Sequence, residues 1–138
     1  MNIRQYEPAD LDAVIRLSLR AWKPVFDSVK KVWDPELYDY YYPDWREHQQ
    51  KDVKKVLEGD ECTVWVSTDG ESVTGFVAYR LDPSAKSGEI YMIAVDPDHQ
   101  RQGISTALTD FAVDRMREAG MEVVMLSTGA DPGHAPAR

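Results

Sequence analysis

The apolar positions change period several times along the chain. Asn2-Ile3-Arg4-Gln5-Tyr6 alternates apolar and polar residues, which predicts a short strand with one buried face. Pro8 suits the first turn of a helix, and Leu11, Val14, Ile15, Ser18 and Trp22 then recur at helical spacing. Pro24 is expected to stop that helix, because it lacks an N–H and crowds the preceding turn. Residues 26–59 read as one broken helical region. Asp34-Pro35-Glu36 and Pro43-Asp44 are both good helix starts, a tyrosine cluster separates them, and Val53, Val56 and Leu57 line one side before Gly59.

From Cys62 the pattern becomes strand-like. Cys62–Val66 and Val73–Tyr79 flank Asp69-Gly70, a strong hairpin signal. After a polar turn at Asp82–Ser87, Glu89–Val95 is apolar on both faces, which predicts a strand near the middle of the sheet, covered on both sides. Thr106–Ala119 is helical, with Leu108, Phe111, Ala112, Met116 and Ala119 on one side and Gly120 as its stop. Val123–Leu126 reads as a final buried strand, and residues 128–138 form an irregular Gly- and Pro-rich tail. This order predicts an α/β (α+β) fold: a three-layer arrangement with a mixed sheet, helices on both faces, and a parallel right-handed crossover at its end.

Composition narrows the classes. With 138 residues, 43% hydrophobic and 29% charged, the chain is expected to form one domain over 1–138 without needing disulfides or metals. Its net charge of −8 weighs against general nucleic-acid binding. No apolar run approaches the ~20 residues of a membrane span, and no signal segment opens the chain. The lone Cys62 excludes an internal disulfide and suits a cytoplasmic location. His48, His99 and His134 lack ligand spacing, so no metal is expected.

The chemistry concentrates where the apolar strand meets the late helix: Ile93-Ala94-Val95-Asp96-Pro97-Asp98-His99-Gln100-Arg101-Gln102-Gly103-Ile104-Ser105-Thr106. The first N–H groups of a helix lack internal partners and sit at the positive end of its dipole, so this turn is a candidate anion site. Gly103 would let a phosphate approach the main chain, and Arg101 and His99 would add charge or donors. An ordinary strand-to-helix turn, with Ser105 or Thr106 as a simple cap, remains the alternative. Neither Gly-x-x-x-x-Gly-Lys-Ser/Thr nor Gly-x-Gly-x-x-Gly is present, which weighs against nucleotide triphosphatases and classical dinucleotide enzymes.

Gln100-x-x-Gly103-x-Ser105, after a strand ending Val95-Asp96-Pro97 and before Ala107-Leu108, resembles the Gln/Arg-x-x-Gly-x-Gly/Ala signature of the GNAT superfamily of acetyl-CoA-dependent N-acetyltransferases. Ser105 departs from the usual Gly/Ala. The resemblance implies that main-chain N–H groups of Gln100, Arg101, Gln102, Gly103, Ile104, Ser105 and Thr106 hold the cosubstrate's diphosphate. It also implies that Ile93, Ala94 and Val95 bind its pantetheine arm in a slot where the fourth strand splays from the fifth. In the family a helix and two strands follow the fifth strand, so the resemblance implies a chain truncated after that strand. The open edge of Val123–Leu126 would then invite homodimerisation.

Acetyl transfer needs a neutral amine, and a lysine-like amine is protonated at neutral pH at a cost of roughly 4–5 kcal/mol. Glu89 is the candidate base, on a strand face shared with Tyr91 and Ile93; a solvated strand-end glutamate is the alternative. Tyr91 is a candidate for positioning the substrate, or simply for packing. Tyr38, Tyr40, Tyr41, Tyr42 and Trp45 fall where the family builds its acceptor pocket, with Tyr38, Tyr41 and Trp45 as the substrate-binding candidates. Aromatic rings there would grip an amine by cation–π contact. Cys62 reads as a core thiol. The expected function is acetyl transfer from acetyl-CoA to the primary amine of a small molecule or peptide, the alternative being an inactive CoA-binding or protein-interaction module of the same fold.

Overall fold

The computed structural model describes residues 1–32, 35–36 and 45–126. Short alternating segments and a tight turn at Gly70-Glu71, one residue on from the expected Asp69-Gly70, bring β1 (Asn2–Gln5), β2 (Thr63–Asp69), β3 (Ser72–Asp82) and β4 (Ser87–Val95) side by side as antiparallel neighbours. Gly70 supplies the positive φ of +63° that the hairpin turn needs. β5 (Val123–Leu126) joins β4 in parallel, giving a mixed sheet in the order β1-β2-β3-β4-β5.

Two cores flank the sheet. On one face Val14, Leu17, Val53 and Leu57, from α1 (Leu11–Val32) and α2 (Trp45–Glu58), pack on Val64, Val66, Phe76, Ala78 and Ala94. On the other, Ile104, Leu108, Ala112 and Met116 of α3 (Ile104–Glu118) pack on Val77, Tyr79, Ile90 and Val95. The three layers and the mixed sheet agree with the sequence pattern. No helix among the described residues is long and apolar enough to cross a membrane.

Two expectations need correction. Pro24 does not end α1, which continues to Val32. Pro24 and Arg20, whose carbonyl loses its usual donor, are both exposed, so water can replace the missing bond. A Lys23–Asp27 ion pair of 2.7 Å spans the proline. Nor is β5 a buried strand: Val124 packs toward α3, while Val123 and Met125 are 54% and 50% exposed. β5 is the last strand of the sheet, and among the described residues nothing covers its second face.

Both ends of α3 are marked by glycine. At the C-terminus Gly120, with φ +89°, reverses the chain. The N–H groups of Ala119, Gly120 and Met121 then occupy the carbonyls of Arg115, Arg117 and Met116. The helix starts two residues earlier than its apolar pattern indicates, at Ile104, directly after Gly103.

Candidate active site

The turn from β4 into α3 is built by its own polar groups. Asp96 receives the Asp98 N–H on its carboxylate at 2.9 Å and the His99 N–H on its carbonyl at 2.8 Å, while its own N–H donates to the Thr74 carbonyl at 2.8 Å. Gln100 turns inward, its Nε2 donating to the Val95 carbonyl at 3.2 Å. Arg101 and Gly103 then adopt left-handed φ values of +64° and +82°. For Arg101, which carries a Cβ, that conformation costs on the order of 1 kcal/mol.

Beyond that point the donors are left open. From Arg101 to Thr106 no main-chain N–H has an acceptor among the described residues, and the first paired donor is Ala107, 2.9 Å from the Gly103 carbonyl. Gly103 is the N-cap residue, no side chain caps the helix, and its first turn holds no acidic residue. Ser105 and Thr106 therefore do not act as caps. A Cβ built on Gly103 would meet nothing within 4 Å, so glycine is demanded there by conformation and the space before the turn is open. Arg101, Gln102, Gly103 and Thr106 are exposed, whereas the Ile104 side chain is buried in the α3-side core and offers only its N–H outward. The result is the uncapped positive end of a 15-residue helix.

Beside this turn β4 has two unlike halves. Ser87–Ile90 pair with β3 and with Val123–Leu126 of β5. Ile93, Ala94 and Val95 pair with β3 alone and have no strand on the β5 side among the described residues. The ladder to β3 also skips a residue: Ala78 pairs with Met92 and Tyr79 with Ile90, which leaves Tyr91 as a bulge. The bulge shifts the side-chain alternation by one. Ile90 therefore packs in the same cluster as Ile93 and Val95, and Met92 goes with Ala94. This corrects the expected common face of Glu89, Tyr91 and Ile93, since Ile93 lies on the α3 side. It also exposes Tyr91 to 45%, against the expectation of a strand covered on both faces.

Glu89 and Tyr91 meet through a residue that sequence reasoning passed over. Arg80, opposite Glu89 in the β3–β4 ladder, donates from Nε at 3.1 Å and Nη2 at 2.9 Å, both to Oε2 of Glu89. Its guanidinium also lies 4.6 Å from the Tyr91 ring centre. Glu89 is thus tethered by one oxygen, and Oε1 has no partner among the described residues. The cross-strand pair becomes readable once the hairpin is known to turn tightly at residues 83–86. A longer polar turn hides the register. Cys62 is a half-buried thiol whose pKa is pushed up by burial, consistent with a core role.

A second missed residue comes from α1. Arg20 Nη1 reaches both carboxylate oxygens of Asp96 at 3.0 and 3.1 Å, and its Nη2 reaches Asp98 at 3.1 Å. The separation of 76 positions between Arg20 and Asp96 leaves no local signal of this contact. Of the expected substrate-binding residues, Tyr38 and Tyr41 lie outside the described residues, as do Tyr40 and Tyr42. Trp45 opens α2.

Comparison with known proteins decides the family. The model of the Acetyltransferase (GNAT) family matches residues 22–137. The chain belongs to the GNAT family. A mycothiol acetyltransferase of Saccharomonospora viridis is 30% identical over 153 residues, covering 99% of this chain and 42% of that protein. A mycothiol acetyltransferase of Beutenbergia cavernae is 35% identical over 88 residues, covering 60% of this chain and 30% of that protein. The chain thus spans less than half the length of these GNAT relatives. Among solved structures, the fold resembles the ribosomal-protein-S18-alanine N-acetyltransferase of Escherichia coli, with a TM-score of 0.68 at 22% identity over 99% of this chain and 72% of that one.

Proposed function

We propose that this GNAT domain binds acetyl-CoA at the β4–α3 turn and transfers the acetyl group to a primary amine. The observation that carries the reading is the run of unpaired N–H groups from Arg101 to Thr106 around a left-handed Gly103. Such a run, at the positive end of a helix, suits a diphosphate. A second solved structure of the same fold, the PaiA N-acetyltransferase of Thermoplasma acidophilum (TM-score 0.66, 15% identity, covering 94% of this chain and 79% of that one), is described as a complex with coenzyme A, which supports a CoA-type cosubstrate.

In this reading Gln100, through its bond to the Val95 carbonyl, fixes the turn, and the amides of Arg101, Gln102, Gly103, Ile104, Ser105 and Thr106 bind the diphosphate. The main chain of Ile93, Ala94 and Val95, open on the β5 side, receives the pantetheine arm in strand fashion. Acetyl-CoA supplies the activated acyl group. Glu89 takes the proton from the incoming ammonium on the free Oε1 while Arg80 holds Oε2, and Tyr91 borders the same surface. The freed amine attacks the thioester carbonyl directly and the C–S bond breaks. The CoA thiolate leaves and takes up the proton shed by the acylated nitrogen, so no protein nucleophile is required. The names of the relatives span mycothiol and a ribosomal protein, so the acceptor is to be sought among small-molecule and protein amines.

Calorimetric titration with CoA tests the binding half, and a thiol-release assay over an amine panel tests turnover. Saturable binding with thiol release for at least one amine is expected. Absence of CoA binding would overturn the assignment. Binding without release from any amine would leave a CoA-binding module of the same fold. Glu89→Gln is expected to lower kcat by roughly a hundredfold or more and to leave CoA affinity unchanged. An unchanged kcat would remove Glu89 from the mechanism.

A further inference from the structure

The turn that offers amides to an anion is preceded by two carboxylates, Asp96 and Asp98, in a chain already carrying a net charge of −8. Left alone, both would repel a diphosphate bound a few residues away. Asp96 cannot simply be dispensed with, because its carboxylate, carbonyl and N–H organise the turn through Asp98, His99 and Thr74. A group outside the turn can offset its charge without disturbing those bonds.

Arg20 is that group. It stands on α1, a separate element on the opposite flank of the loop, and its guanidinium forks across both acids, Nη1 to Asp96 and Nη2 to Asp98. The acids hold the guanidinium pKa above its usual value, first through the Asp98 hydrogen bond and then through the charge of Asp96. A lysine has one point of attachment and cannot reproduce this fork. The Asp96 side chain is only 16% exposed beneath it, so the pair closes over a half-hidden carboxylate rather than two free surface charges.

We propose that Arg20 is a positioning residue for the diphosphate. It neutralises Asp96 and Asp98 and pins the turn to α1, so that the amides from Arg101 to Thr106 keep their arrangement and their positive potential. The inference rests on the CoA-binding reading above and adds to it a residue that acts through Asp96 and Asp98.

The test compares CoA with pantetheine, which shares the arm but lacks the diphosphate, by calorimetry on the whole chain. The wild type is expected to prefer CoA. Arg20→Ala should raise the Kd for CoA by about three- to tenfold, the range of a charge network at a partly exposed site, and leave the Kd for pantetheine unchanged. Arg20→Lys should fall between the two. Adding Asp98→Asn to Arg20→Ala should recover part of the loss, a rescue that a purely structural role for Arg20 would not give. If Arg20→Ala does not fold, the same ratio is read on Arg20→Gln. An unchanged CoA preference in the Arg20 variant, or no recovery in the double variant, would overturn the inference while the diphosphate reading stands. A wild type that binds CoA no better than pantetheine would overturn the diphosphate reading itself.

Discussion

The starts of α1 and α3 are made from similar parts and finished differently. α1 is entered through a tight turn, Pro8–Asp10, and the Asp10 carboxylate seals it. It accepts the Glu7 N–H at 2.9 Å and a two-pronged contact from Arg4 at 2.7 and 2.8 Å. α3 starts at a glycine, with no capping side chain and no acid in its first turn. Natural helices seldom leave several N–H groups unanswered when Ser, Thr, Asp or Asn one position away would satisfy them. One start carries its own anion; the other leaves its donors open, as the proposed diphosphate site requires. The difference separates an acid that holds the fold from a turn whose donors the fold leaves unused.

The largest effect expected from disturbing this contrast is at Gly103. Gly103→Ala places a Cβ at φ +82°, and relieving that strain moves the amides. CoA affinity should fall by about a hundredfold through lost charge-assisted hydrogen bonds, with about 1 kcal/mol of stability lost to the left-handed strain. Retained affinity in calorimetry would show that the amides are not the contact.

At the sealed start the outcome reverses. Asp10→Asn should cost about 2 kcal/mol of unfolding free energy and leave CoA binding intact, because Asp10 is buried and its charge is matched by Arg4. The Arg4 hydrogen bond, first among the causes, holds the Asp10 pKa below the ordinary carboxylate value. The stabilisation is therefore complete above that ordinary value, about 3.9, and is lost as pH falls through the folded-state pKa. Urea midpoints recorded from neutral pH to pH 2.5 should fall more steeply for the wild type than for Asp10→Asn. Parallel curves would contradict the assignment.

Gly120→Ala is a control for strain without a site. Gly120 also has a positive φ, +89°, but it closes the helix end whose carbonyls are already occupied. About 1 kcal/mol of stability should be lost, with no change in CoA affinity. A drop in affinity here would mean that the Gly103 result reports general destabilisation.

The smallest change has two opposed signs. Thr106→Glu puts a carboxylate in the open first turn of α3, where it should raise stability by about 0.5 kcal/mol through the helix dipole. The same charge should weaken CoA binding a few-fold by repelling the diphosphate. A melting curve and a titration on the same sample would check both; movement of the two in the same direction would break the comparison.

Much of this architecture was legible in local pattern. Period-two segments, the Asp69-Gly70 hairpin and the apolar face of Leu108, Ala112 and Met116 depend on neighbours a few residues away, so they fix strands, a turn and a helix before any packing is known. The Gly103 turn is legible for the same reason: a strand, one glycine and a helix follow one another directly. Pro24 shows the limit of such rules. It lies on an exposed side of α1, where water can answer the carbonyl it leaves unpaired and the helix runs on.

Other features were settled only by contacts across the fold. The bulge at Tyr91 arises from the mismatch between β3 and β4, and it alone sends Ile93 to the α3 side and leaves Tyr91 beside Arg80. The tether of Arg80 on Glu89 depends on hairpin register, and the fork of Arg20 on Asp96 and Asp98 joins residues far apart in the chain. By itself the amino-acid order determined which elements form and where an anion could be received, because both follow from backbone hydrogen bonding and side-chain period over a few residues. Which charges stand beside that place, and which oxygen of Glu89 is left free, depended on how strands register and helices dock, since an ion pair exists only once packing brings its partners within about 3–4 Å.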